Sequence, residues 1–98
     1  MSVLMTMRVH GDGTKLEALD ADVFKGVVER AKQNGLISHR FWGNDSEILV
    51  VDEWPDEGSF HKFFEASPEI AEMMQGAGVT EAPEITFWRR LDTGDDVG

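Results

Sequence analysis

The chain has 98 residues, 41% of them hydrophobic, which suits one small domain built around a single core. Nineteen Asp and Glu against nine Lys and Arg leave a net charge of -10, a field that repels phosphate backbones and anionic lipid, so neither nucleic acid nor a membrane is an expected partner. With no cysteine, disulfides, thiolate metal sites and thiol nucleophiles are excluded.

The first residues, Met1 to Arg8, lack the basic start and the long apolar core of an export signal, and no later apolar run reaches the ~20 residues that cross a bilayer. A cytoplasmic location is expected. Residues 3 to 9 alternate, with Val3, Met5, Met7 and Val9 on one parity, which predicts a strand with one buried face. His10-Gly11-Asp12-Gly13 breaks it.

Thr14-Lys15-Leu16-Glu17 has the spacing of a capping box, and Leu16, Leu19, Val23, Val27 and Ala31 recur at helical intervals, predicting an amphipathic helix over about residues 15 to 33. Asp20 or Asp22 could instead cap a shorter helix. Asn34-Gly35 is the stop signal.

Leu36 to Trp42 reads as a second strand, Gly43-Asn44-Asp45 as a tight turn and Glu47 to Trp54 as a third strand, together an antiparallel hairpin ended by Pro55. Asp56 or Ser59 can cap a helix carrying Phe60, Phe63 and Phe64, and Ser67-Pro68-Glu69 signals a fresh helix start, so the second helical region is expected in two pieces. Gly76 and Gly78 close it, and Glu84 to Leu91 supplies the fourth strand. The domain is thus expected over residues 1 to 91, with residues 92 to 98 a frayed acidic tail.

This order predicts an α+β fold, a ferredoxin-like βαββαβ sandwich: a four-stranded antiparallel sheet with two helices on one face. Ile48 to Val51 are apolar on both parities, as in strands covered on both sides, and Ile85, Phe87 and Trp88 repeat the pattern. Helices on one face cannot supply that cover. A homodimer packed sheet to sheet, forming an α/β barrel, resolves the conflict. Asp52 and Trp54 are expected on the face that the second copy covers.

Gly35 to Arg40, the strand Ile48 to Trp54, and Phe60 with Ala66-Ser67-Pro68 together resemble the dimeric α/β-barrel superfamily, specifically the antibiotic-biosynthesis-monooxygenase type, over roughly residues 3 to 91. The resemblance implies a cofactor-independent monooxygenase acting on a small aromatic or quinol-like substrate in a cavity between helices and sheet. Trp54 matches the cavity-lining Trp of such oxygenases, and a basic residue near the ligand matches Arg89 or Arg90. His39 and Phe63 join Trp54 and Arg89 as expected substrate contacts. Similar proteins commonly carry His where this chain has Phe63 and Glu69, and the haem-degrading branch places its ligating His near Met74. No haem or other cofactor is therefore expected.

From the residues themselves, Asp52 sits among Val50, Val51 and Trp54, a setting suited to a general base for a phenolic substrate, or else it is hydrated or paired with Arg40 or Arg89. His10, His39 and His61 offer no short ligand pair, so no metal is expected. A non-catalytic binding module and a structural homodimer are the alternatives to an enzyme.

Overall fold

The computed structural model describes residues 1 to 98. Eight elements follow in the order β1 (Val3–His10), α1 (Gly13–Glu17), α2 (Ala21–Gln33), β2 (Ser38–Gly43), β3 (Glu47–Trp54), α3 (Glu57–Glu65), α4 (Pro68–Gly76) and β4 (Glu84–Trp88). The strands form one antiparallel sheet in the order β2-β3-β1-β4, the ferredoxin-like arrangement expected.

The first helical region differs from the single helix expected over residues 15 to 33. Asp20 accepts a hydrogen bond from the Asp22 backbone N–H at 2.9 Å and starts α2 afresh, leaving α1 as five residues. The apolar spacing runs across the break, but an Asx cap with extended backbone at Asp20 competes with helix continuation there. Thr14 is likewise not the cap of α1; Asp12 is, accepting from the Thr14 N–H at 2.9 Å. At the far end Gly35 takes φ 108°, the left-handed conformation that ends α2.

The β2–β3 turn is held by Asn44, whose Oδ1 accepts from the N–H groups of Ser46 and Glu47. Asp56 caps α3 through Ser59 N–H at 2.7 Å. The expected break between two helical pieces is present, with Pro68 opening α4. Ser67 supplies no side-chain cap; its Oγ instead donates to the Phe63 carbonyl at 2.7 Å.

One sheet face carries the core. Met5, Met7 and Val9 of β1 and Ile48, Val50, Asp52 and Trp54 of β3 are buried beneath the helices. This corrects the expectation that Asp52 and Trp54 lie on the uncovered face. Because β3 is apolar on both parities, its sequence pattern does not distinguish its faces. Burial of a side chain such as Trp54 contributes roughly 1.5–3 kcal/mol.

The other face is open. The register places Leu4, Thr6 and Arg8 beside Glu53, Val51 and Leu49 on one flank and beside Trp88, Thr86 and Glu84 on the other, with Trp42 across from Leu49. Leu4, Trp42 and Trp88 are 40%, 57% and 52% exposed. Arg8 pairs with Glu84 at 2.7 Å and lies 3.5 Å from Glu47, making a charged margin to this apolar surface.

β4 is shorter than the 84–91 expected. It ends at Trp88, so the ladder carries neither Arg89 nor Arg90, and Arg90 pairs with Asp96 instead. Residues 92 to 98 are exposed and contain neither helix nor strand.

Candidate functional site

β2 and β3 run antiparallel with His39 opposite Asp52 and Phe41 opposite Val50, so all four side chains belong to the helix-covered face. His39 Nδ1 lies 2.7 Å from Asp52 Oδ1. The other carboxylate oxygen, Oδ2, accepts from the Trp54 indole N–H at 3.2 Å. Asp52 is 6% exposed, and burial of a carboxylate is tolerated where both oxygens are engaged. Its partners are thus His39 and Trp54, rather than Arg40, which the register places on the opposite face, or Arg89 beyond β4.

These groups border a cavity of about 70 Å³ between sheet and helices. Of its eighteen lining residues sixteen are hydrophobic, and His39 and Asp52 are the two polar ones. Trp54 and Phe63 form one wall, with ring centroids 5.6 Å apart, and Phe60 meets Trp54 edge-on at 5.8 Å. α2 contributes Val27, Val28 and Ala31, the stripe its helical period creates.

Arg30, near the end of α2, fastens this wall. Its guanidinium lies 5.5 Å from the centre of the Phe63 ring, donates to Ser67 Oγ at 3.0 Å and pairs with Glu69. Glu69 and Phe63 thus belong to one clamp across the α3–α4 break.

The structure therefore brings together Asp52, Trp54, His39 and Phe63 of the residues singled out from sequence. Arg89 is exposed and lies outside the cavity wall. His10 and His61 are also exposed, and no group of three His, Asp or Glu side chains is arranged to hold a metal ion. What sequence reading missed is the pairing of His39 with Asp52. The signal was available in the hairpin: counting back from its turn in antiparallel register sets residue 39 against residue 52.

No family model matches the chain, and no curated protein matches it. Solved structures do. A conserved protein from Methanosarcina mazei Go1 superposes with a TM-score of 0.68 at 18% identity, covering 93% of this chain and 94% of that one. SnoaB, a cofactor-independent oxygenase from Streptomyces nogalater, gives 0.63 at 18% identity over 97% and 98%. A dimeric ferredoxin-like protein from an uncultured marine organism gives 0.60 at 16% identity over 93% and 89%. Other similar structures include an antibiotic biosynthesis monooxygenase and a Nitrosomonas europaea protein of unknown function. No helix is long and apolar enough to cross a membrane. The chain thus has the ferredoxin-like fold of antibiotic-biosynthesis-monooxygenase-like proteins, the fold its sequence motifs resemble.

Proposed function

We propose that the chain is a homodimeric, cofactor-independent monooxygenase that oxidises a small phenolic or quinol-like aromatic, with His39 and Asp52 acting as one acid–base unit. The observation that carries this reading is the pairing of His39 and Asp52 as the two polar groups on an otherwise apolar cavity wall. The oxygenase among the similar folds supports it.

A carboxylate can only accept, so Nδ1 of the neutral ring holds the proton and Nε2 is left with its lone pair. Nε2 has no hydrogen-bond partner within the chain, which leaves it free for a ligand. Both oxygens of Asp52 are occupied. The proton of a bound phenol therefore passes to His39 Nε2, and Asp52 fixes the ring and stabilises the imidazolium that forms. The resulting phenolate is electron-rich enough to reduce dioxygen itself. For 1-naphthol the balance is one naphthol and one O₂ giving one naphthoquinone and one water: one oxygen atom forms the new carbonyl, the other leaves as water, and the substrate supplies all the electrons. Trp54 and Phe63 offer the aromatic walls against which such a ring stacks.

The exposed Leu4, Trp42 and Trp88, with Leu49 and Val51 between them, support a second copy packed sheet to sheet, and the dimeric structure among the similar folds supports the same arrangement. The test is oxygen uptake with 1-naphthol and 1,4-dihydroxynaphthalene, following quinone absorbance in parallel. Consumption no faster than in buffer removes the oxygenase reading. The small volume, about 70 Å³, favours as second reading a non-catalytic or structural homodimer, which gives that negative result.

A further inference from the structure

The apolar core has two parts. Trp54, Phe60 and Phe63 with Met5 and Met7 surround the cavity beside His39, whereas Val9, Leu16, Ile48, Ala77 and Val79 form a separate cluster toward the other end of the sheet. Met74 of α4 packs against both clusters. At this seam lies a smaller cavity of about 30 Å³, and all ten of its lining residues are hydrophobic. It shares Phe41, Val50, Ile70, Met73 and Met74 with the larger cavity, so the two are neighbours across one layer of side chains.

Its size and lining select a ligand. About 30 Å³ exceeds the ~10–15 Å³ that one water needs by enough for a diatomic molecule, and falls far short of the ~150 Å³ cavity that takes up benzene. Water gains nothing there, because no side chain of the lining offers it a hydrogen bond. Dioxygen, uncharged and with no hydrogen bonds to lose, prefers such surroundings to water. The location suits the same ligand. Phe41 and Val50 are directly opposed on β2 and β3, and the next opposed pair on that face is His39 with Asp52. Two residues of strand, about 7 Å, separate the pairs. Toward solvent, Leu16 and Phe41 also border the open groove between α1, α2 and β2, which gives a small molecule a way in beside the space that an aromatic ring would fill.

We propose that this smaller cavity is a dioxygen site, holding O₂ beside the ring that His39 deprotonates. The inference rests on the oxygenase reading for the use made of the gas; binding of the gas rests on the cavity alone. Met73 and Met74 line both cavities, and their unbranched, adaptable side chains form the partition that O₂ crosses.

Dioxygen serves as its own probe, since it is paramagnetic and speeds the relaxation of nuclei near it. Methyl relaxation is compared between samples equilibrated with oxygen and with nitrogen. The methyl groups of Leu16, Ile48 and Val79 should be enhanced several-fold above that of Ile85, which is less buried but lines neither cavity. Val79 lines the smaller cavity and not the larger, so Val79→Ile narrows the one and leaves the other intact. This variant should remove the enhancement at Leu16 and Ile48 and lower kcat/KM for dioxygen about tenfold, the low end of what one methylene decides in an apolar pocket, with KM for 1-naphthol unchanged. Val79→Ala enlarges the cavity and should raise the enhancement. An effect at Leu16, Ile48 and Val79 no larger than at Ile85 overturns the proposal, as does one that Val79→Ile leaves in place. The first comparison uses the parent chain and holds even where a variant fails to fold. Oxygen uptake on the same samples separates the two readings. Enhancement without uptake removes the oxygenase and keeps the site, whereas uptake whose dependence on oxygen concentration survives Val79→Ile unchanged keeps the oxygenase and removes the site.

Discussion

Asp52 of β3 stands directly opposite His39 of β2 in the antiparallel register, and its carboxylate receives the His39 Nδ1 at 2.7 Å. A directly opposed cross-strand pair holds the two side chains in a fixed separation set by the ladder itself. The orientation of the imidazole is therefore built by backbone pairing and needs no third element. Trp54, two residues along the same strand, fixes the remaining carboxylate oxygen.

Asp52→Asn removes the charge and presents an amide that cannot accept at both of its polar atoms. Turnover should fall about 100-fold, the lower range for lost acid–base catalysis, while the fold persists with a loss of about 1–3 kcal/mol from the unsatisfied buried donor. His39→Gln should lower turnover comparably at a smaller stability cost, since His39 is less buried. Oxygen uptake and urea melts on the same samples check both. Unchanged turnover in Asp52→Asn would separate that residue from the chemistry.

Trp54→Phe keeps most of the packing volume but deletes the indole donor to Oδ2. A decrease of about 1 kcal/mol is expected, against about 3–5 kcal/mol for Trp54→Ala, which opens a large hole under α3. The comparison of the two by chemical denaturation isolates the hydrogen bond from the burial.

For the open sheet face, Trp88→Glu places a charge where Trp88 now lies across from Leu4 and donates to Thr6 Oγ1 at 2.9 Å. Sedimentation velocity should report a dimer for the parent chain and a monomer for the variant, because burying that carboxylate between two sheets costs more than the contact returns. A monomeric parent chain at micromolar concentration would remove the homodimer.

Acid sensitivity should trace partly to two helix caps. The Thr14 hydroxyl and backbone N–H hold the Asp12 carboxyl below its ordinary value, and the Ser59 backbone N–H and hydroxyl do the same for Asp56. Their folded pKa lies under the unfolded one, so each contributes stability in full above the unfolded value and loses it as pH falls through the folded value. Asn caps a helix about as well but does not titrate. The double variant Asp12→Asn, Asp56→Asn should consequently lose less of its urea midpoint between pH 5 and pH 2 than the parent chain.

Gly11→Ala tests the close approach of β1 to the segment after α4. An added Cβ would come 2.9 Å from Val79 Cγ2 and 3.3 Å from the Ala77 carbonyl oxygen, with Ile48 behind. Ala77 is itself fixed, because its carbonyl accepts from the Asp12 N–H at 3.1 Å. A destabilisation of about 1–3 kcal/mol by thermal melt is expected.

Much of this fold was legible because its punctuation is strong. β3 matches the Glu47 to Trp54 expected, since a turn rich in Asn, Asp and Ser precedes it and Pro55 follows. The α3–α4 break was legible in Ser67-Pro68. The α1–α2 break was not, because Leu16, Leu19 and Val23 keep helical spacing through a stop made by the Asp20 cap alone. Asp52 and Trp54 were legible as a pair but not their face, which depends on which side the helices cover. Arg89 was weighed on a strand continuing to Leu91, whereas pairing stops where β1 reaches Leu4 opposite Trp88.

The placement of His39 on β2 has a further consequence, since β2 is an outermost strand of the sheet and pairs on one side only. Such strands detach at a lower free energy than the strands they flank. When β2 frays, the imidazole leaves its carboxylate while β1, β3 and β4 stay paired. The chain should accordingly lose competence on warming before it loses its sheet, and amide exchange should be faster along residues 38 to 43 than along residues 47 to 54. A bound ring lying against His39 and Phe41 would close that gap, so ligand occupancy and the integrity of one marginal strand are the same equilibrium seen from two sides.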